Sequence, residues 1–185
     1  MKHFYKEHKK FLSDTNLKFI EEVILNDHFP FFIKQSATTN LKGEPNNEPF
    51  LKHIILHNLE SKRAPDIVNS PHYDITLDIL NNFSRAIKQE VHFFTRICYN
   101  LTFANGVKKC GVHRDHKYPY KQVIIYLNNC DKNSKTIILD EKGKIVREIT
   151  PEKHKGVCFD VPLYHTHYHI FPKTGFRLAL VGAFV

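Results

Sequence analysis

Residues 111–129 read GVHRDHKYPYKQVIIYLNN. His113, Asp115 and His116 fall within four positions, and the chain then runs into QVIIYLN, an apolar segment of strand composition. A polar turn ahead of a strand is the ordinary explanation of such a stretch, and half of a metal site is the other. H-x-D occurs twice in the chain. His72-Tyr73-Asp74 follows Ser70-Pro71 at the start of a helical pattern, where Ser70 or Asp74 serves as a cap. His113-Arg114-Asp115 instead lies between strand-like segments, and about fifty residues later comes YHTHYHIFPKTGFR. A His and an Asp two residues apart at a strand end can aim at one point. A second His from another strand then completes the 2-His-1-carboxylate set of a non-haem iron site, which leaves positions open on the metal.

Outward from this stretch, strand periodicity sets in at about residue 91. The segments VHFFTRICYNLTF, VKKCGVH, QVIIYLN, KTIILDE, KIVREIT, GVCFDV, YHTHYHIF and FRLALVGAFV are separated by NG, DKN, EKG and KTG turns. The first half reads as mostly helical. In DTNLKFIEEVILND, Leu17, Ile20, Val23 and Ile24 recur at helical spacing behind Asp14 and Thr15. In SPHYDITLDILNNFSRAIKQE, Ile75, Ile79, Leu80, Phe83 and Ile87 share a face. Between them QSATTNLKGEPNNEP has loop composition, and FLKHIILHNL fits strand or helix equally. The expectation is an α+β fold of one domain, residues 1–185. A mainly helical lead-in over 1–90 covers one face of a β-barrel or two-sheet sandwich over 91–185.

Composition agrees with a single globular domain: 42% of residues are hydrophobic and 25% charged. The N-terminus is charged and without an apolar core, and no stretch is apolar enough for a membrane span, so a soluble, cytoplasmic protein without a membrane partner is expected. Cys98, Cys110, Cys130 and Cys158 form no CxxC pair and are expected to be free thiols. The net charge of +8 suits a nucleic-acid partner, but the lysines are scattered, and no basic and aromatic residues interleave along one stretch.

Arg177 opens the strongly apolar run RLALVGAFV, 12, 10 and 8 residues after His165, His167 and His169. An arginine in such a run is expensive to bury without an anion. Beside an open iron site it points to a dicarboxylate held by a bidentate salt bridge.

With these pieces assembled, residues 96–185 resemble the iron(II)- and 2-oxoglutarate-dependent dioxygenases, in particular the prolyl 4-hydroxylase-like branch. The resemblance rests on RICYNLTFANGVKKCGVHRDH, KQVIIYLNN, KTIILDEKGKIVREITPEKHKGVCFD and LYHTHYHIFPKTGFRLALVGAF. The first half is similar, less specifically, to the lead-in of small phage hydroxylase-like proteins, notably in NDHFPFF. The resemblance implies a double-stranded β-helix (jelly-roll) core. It also implies Fe(II), 2-oxoglutarate and O2 as cofactors, with ascorbate as an accessory reductant, and hydroxylation of a C–H bond as 2-oxoglutarate becomes succinate and CO2. His113 and Asp115 match the first two iron ligands, and Arg177 matches the residue that pairs with the distal carboxylate of 2-oxoglutarate. Tyr126 falls where relatives place a hydroxyl on that carboxylate, and Tyr99 is expected to line the pocket from the preceding strand. Core packing is an equally good account of both tyrosines.

The distal ligand is open at this stage. The FD-to-His spacing favours His165, whereas a separation of ten from Arg177 favours His167, and strand alternation puts both, with His169, on one face. The expectation is His165, with His167 as the alternative. The usual Gly-Gly-Thr after the third strand is replaced here by Asn133-Ser134-Lys135-Thr136. The expected substrate is a peptidyl or amino-acid side chain or another small molecule. A nucleic-acid demethylase of the same superfamily and a non-catalytic basic binding module are the alternatives.

Overall fold

The computed structural model describes residues 4–36, 48–57, 67–162 and 165–185. Its first half is not the mainly helical lead-in expected. It holds four strands, β1 (Tyr5–His8), β2 (Phe32–Lys34), β3 (Phe50–His57) and β4 (Ile67–Val68), beside two helices, α1 (Asp14–Phe19) and α2 (Tyr73–Ala86). Strands of two to four residues leave no legible period, and FLKHIILH becomes a strand because it has a partner to pair with. Most of the loop expected in QSATTNLKGEPNNEP, residues 37–47, lies outside the described residues.

The second half follows the strand pattern: β5 (Phe94–Phe103), β6 (Tyr120–Tyr126), β7 (Thr136–Leu139), β8 (Ile145–Ile149), β9 (Gly156–Val161), β10 (Thr166–His169) and β11 (Phe176–Phe184). The expected strand VKKCGVH does not form. Instead it makes two isolated bridges, Lys109 to Ile170 and His113 to His167, with β10 and the residue after it.

All strand pairs are antiparallel. An eight-stranded sheet runs β1-β9-β6-β11-β5-β3-β2, with β4 on β3, and a three-stranded sheet runs β10-β7-β8. Alternation sorts the central strands. In β11, Leu178, Leu180 and Phe184 join the cluster shared with the helices, while Ala179, Val181 and Ala183 join a second cluster with Ile138 and Ile149 of the small sheet. The result is a two-sheet sandwich with helices on the outer face of the larger sheet.

Helix α1 begins at a capping box one residue earlier than the sequence reading placed it. Ser13 Oγ accepts from the Asn16 N–H, and Asn16 Oδ1 accepts from the Ser13 N–H. The helix continues into a π-helical turn over Ile20–Ile24, which buries Ile20 and Ile24. In α2, Ile79, Leu80 and Phe83 are buried. Gly156 lets Phe83 lie against β9, because a Cβ there would fall 2.5 Å from two ring carbons. Among the described residues, no helix is long and apolar enough to cross a membrane.

Candidate active site

The loop between β5 and β6 carries His113, and β10 carries His167. Their backbones form a closed pair, each N–H donating to the other's carbonyl at 3.0 Å, so the two imidazoles stand side by side with centroids 4.6 Å apart. Asp115, two residues on, reaches the same point. One donor atom from each of His113, Asp115 and His167 lies within 4.8 Å of the other two. Nε2 of His113 is 3.9 Å from Asp115 Oδ1, and Nε2 of His167 is 3.8 Å from Oδ2.

The surroundings set each group's state. His113 Nδ1 lies 2.8 Å from the Gly111 carbonyl, which can only accept, so Nδ1 carries the hydrogen and Nε2 keeps its lone pair for the centre. Burial, reinforced by His113, pulls the His167 pKa down to about 3, so His167 is neutral and able to ligate. Burial alone would raise the Asp115 pKa. The Arg96 guanidinium opposes it by its charge and its hydrogen bond and is the main reason the carboxyl stands well below the usual range. Arg96 is ion-paired with Asp115 Oδ2, and the Asp115 N–H donates to the Tyr120 hydroxyl at 3.0 Å. The neutral His167, the oriented His113 and the ionised, clamped Asp115 form a donor set that fits a divalent iron.

Arg177 lies opposite Thr102 of β5, on the face of β11 that turns to the small sheet. It is only 5% exposed. Nη1 donates to the Ser134 carbonyl at 3.1 Å, and Nε has no hydrogen-bond partner among the described residues. No carboxylate among the described residues pairs with it. Burial draws its pKa below the ordinary value, partly opposed by Tyr126, Cys110 and Cys130. A charge so placed calls for an anion from outside the chain. A cavity of about 280 Å³ borders His113, Asp115 and His167 as well as Arg177.

The other expected residues divide. Tyr126 is buried between the sheets, and its hydroxyl lies 3.2 Å from Thr136 Oγ1, a group on the cavity wall. Tyr99 is a correction. In β5, Arg96 and Asn100 face the cavity, whereas Tyr99 faces the helices, with its hydroxyl 2.8 Å from Thr76 of α2. Both faces of β5 are buried, so its sequence does not show which set turns inward. His165 is the second correction, because it lies outside the donor cluster. It precedes β10, and its N–H donates to the Pro162 carbonyl at 3.0 Å. Strand alternation therefore starts only at Thr166, and it places His167 and His169 on the cavity. His116 is stacked on Tyr118, and Arg114 holds the Tyr118 carbonyl.

Sequence reading missed Arg96, Tyr120 and Glu48, whose Oε1 accepts from the Gly111 N–H and so steadies the carbonyl that orients His113. Arg96 had a signal, since it interrupts an apolar strand as Arg177 does. Glu48 had none, because it lies 65 positions from His113 in a loop-like stretch.

No protein-family model matches the chain, and no curated protein does. Solved structures do. A 2OG-Fe(II) oxygenase family oxidoreductase from Burkholderia pseudomallei superposes with a TM-score of 0.72 at 14% identity, over 97% of this chain and 84% of that one. A prolyl hydroxylase from Trichoplax adhaerens, in complex with a hypoxia inducible factor peptide fragment, gives 0.60 at 14% over 97% and 82%. A Pseudomonas putida prolyl-4-hydroxylase gives 0.59 at 13% over 98% and 92%. The chain has the fold of the 2OG-Fe(II) oxygenases and prolyl hydroxylases.

Proposed function

We propose that this protein is an Fe(II)- and 2-oxoglutarate-dependent oxygenase that hydroxylates a C–H bond of a peptidyl or amino-acid side chain. The observation that carries the reading is the union, in one cavity, of the His113–Asp115–His167 donor cluster with a buried arginine that has no acidic partner among the described residues. His113, Asp115 and His167 would hold the metal, and Arg177 would hold the distal carboxylate of 2-oxoglutarate by charge-assisted hydrogen bonds. Tyr126 lies within electrostatic reach of Arg177, and its hydroxyl meets Thr136 on the cavity wall. Fe(II) with 2-oxoglutarate and O2 supplies the oxidising power that places one oxygen atom in the substrate C–H bond while 2-oxoglutarate becomes succinate and CO2.

The chain's own part is to fix geometry and keep water out. Arg96 and Tyr120 clamp Asp115, and Gly111 fixes the His113 tautomer. Ala179, Val181 and Ile124 give the cavity an apolar wall. The choice of a side-chain substrate is supported by the shared fold with prolyl hydroxylases, one of which was solved with a peptide.

The test is succinate formation from 2-oxoglutarate by protein loaded anaerobically with Fe(II) and then exposed to air, together with binding of both to the protein. Wild type is expected to bind both and release succinate, and Asp115→Ala and Arg177→Ala to lose turnover. A wild-type protein that binds neither Fe(II) nor 2-oxoglutarate refutes the reading.

A further inference from the structure

The donor cluster leaves one histidine of β10 without a task. His169 borders the same cavity as His167, on the same face of the strand, yet its nitrogens fall outside the donor group. Its ring centroid is 6.3 Å from that of His113. Cys110 holds it by three contacts. The Cys110 N–H donates to the His169 carbonyl at 3.0 Å, the His169 N–H donates to Cys110 Sγ at 3.2 Å, and Sγ lies 3.4 Å from His169 Nδ1.

These contacts bear on the tautomer. The sulfur accepts from the backbone N–H, and with its own hydrogen turned to Nδ1 the ring nitrogen is the acceptor. In that arrangement the ring hydrogen belongs on Nε2, the other edge of the ring. Burial pushes the Cys110 thiol up to about 12, so the S–H is retained as a donor. The cavity wall thus carries a histidine held by Cys110, beside the metal donors and on the same cavity as Arg177.

We propose that His169 is a further binding residue for the oxo-acid cosubstrate, donating Nε2–H to a carboxylate oxygen of 2-oxoglutarate, and that Cys110 is a positioning residue that selects the donating tautomer. This rests on the iron and 2-oxoglutarate reading above. It accounts for the third histidine, which the metal does not use, and for a thiol placed against a ring nitrogen rather than in apolar packing.

Calorimetric titration of 2-oxoglutarate into the Mn(II)-loaded full chain tests the assignment, with Mn(II) affinity and the melting temperature measured for each variant. His169→Phe keeps the ring shape without the donor and is expected to weaken 2-oxoglutarate binding about tenfold or more, the loss of one hydrogen bond to a charged acceptor. His169→Gln, which carries an amide N–H, is expected to recover most of it. Cys110→Ser, which can still donate to Nδ1, is expected to bind more tightly than Cys110→Val. Mn(II) affinity is expected to stay within about twofold throughout. Unchanged 2-oxoglutarate affinity in His169→Phe overturns the assignment of His169, and a parallel loss of Mn(II) affinity overturns it in favour of a metal ligand. Equal affinity in Cys110→Ser and Cys110→Val overturns the positioning role. A wild-type protein that takes up Mn(II) but not 2-oxoglutarate refutes the cosubstrate reading itself, a result distinct from any difference among the variants.

Discussion

Arg177→Met is expected to make the cosubstrate-free protein more stable and to remove its response to 2-oxoglutarate. The native guanidinium is 5% exposed, makes one hydrogen bond to Ser134, has a buried Nε without a partner and meets no carboxylate among the described residues. Methionine fills much of the same volume without the charge. Exchanging buried ionic groups for apolar ones of similar size is often stabilising by about 1 to 4 kcal/mol, and here the stabilisation is reduced by the lost Ser134 bond. With that bond taken at about 1 kcal/mol, the net gain is roughly 0–3 kcal/mol, and at roughly 2–4 °C per kcal/mol for a chain of this size the melting temperature is expected to rise by up to about 12 °C. Cosubstrate reverses the comparison. At about 100 times its dissociation constant, 2-oxoglutarate stabilises the wild type by about 2.7 kcal/mol through mass action, while the variant gains nothing at the same concentration. Thermal unfolding of both Mn(II)-loaded proteins, with and without 2-oxoglutarate, measures the four values. A variant that melts below the wild type without cosubstrate and responds equally to it refutes the argument that Arg177 is held unpaired for an incoming anion.

Three further outcomes are expected. His167→Ala lowers Mn(II) affinity by at least about tenfold in a calorimetric titration, the scale of losing even a group that orients a ligand, whereas His165→Ala leaves it within about twofold. Tyr99→Phe costs about 1 kcal/mol in denaturant unfolding through the lost contact with Thr76, and leaves 2-oxoglutarate affinity unchanged because the hydroxyl faces α2. Gly156→Ala drives a methyl into the Phe83 ring, 2.5 Å away, and lowers stability by roughly 1–3 kcal/mol in the same unfolding measurement while leaving Mn(II) affinity intact.

Legibility in the sequence followed the physical signal each element carries. The helical face of Ile79, Leu80 and Phe83 and the turn-bounded strands β6 to β9 were readable because a period repeats within each or a turn residue closes it. The strands β2 and β4 are three and two residues long and exist through pairing with β3, a contact that no local pattern announces. His113 and Asp115 were legible as a pair because their spacing is local. His165 and His167 were not separable, because the choice depends on whether β10 begins before or after residue 165, and alternation has no meaning until the strand has begun.

The two buried arginines show where sequence reading ends and register takes over. Arg96 and Arg177 each stand in an apolar strand, and β5 and β11 are adjacent, with Arg177 opposite Thr102 and Arg96 opposite Ala183. Six residues of β5 therefore separate the two along the shared face, roughly 20 Å at the rise of an extended strand. The loop that follows β5 returns Asp115 to Arg96 and brings no carboxylate to Arg177. The same residue type thus serves opposite purposes at the two ends: Arg96 neutralises a charge the chain has buried, and Arg177 is a buried charge awaiting one. A cavity that joins a clamped, ionised metal donor at one end to an unpaired cation at the other selects a ligand that can both chelate a metal and carry a distant anion, which is the chemistry of a dicarboxylic oxo-acid.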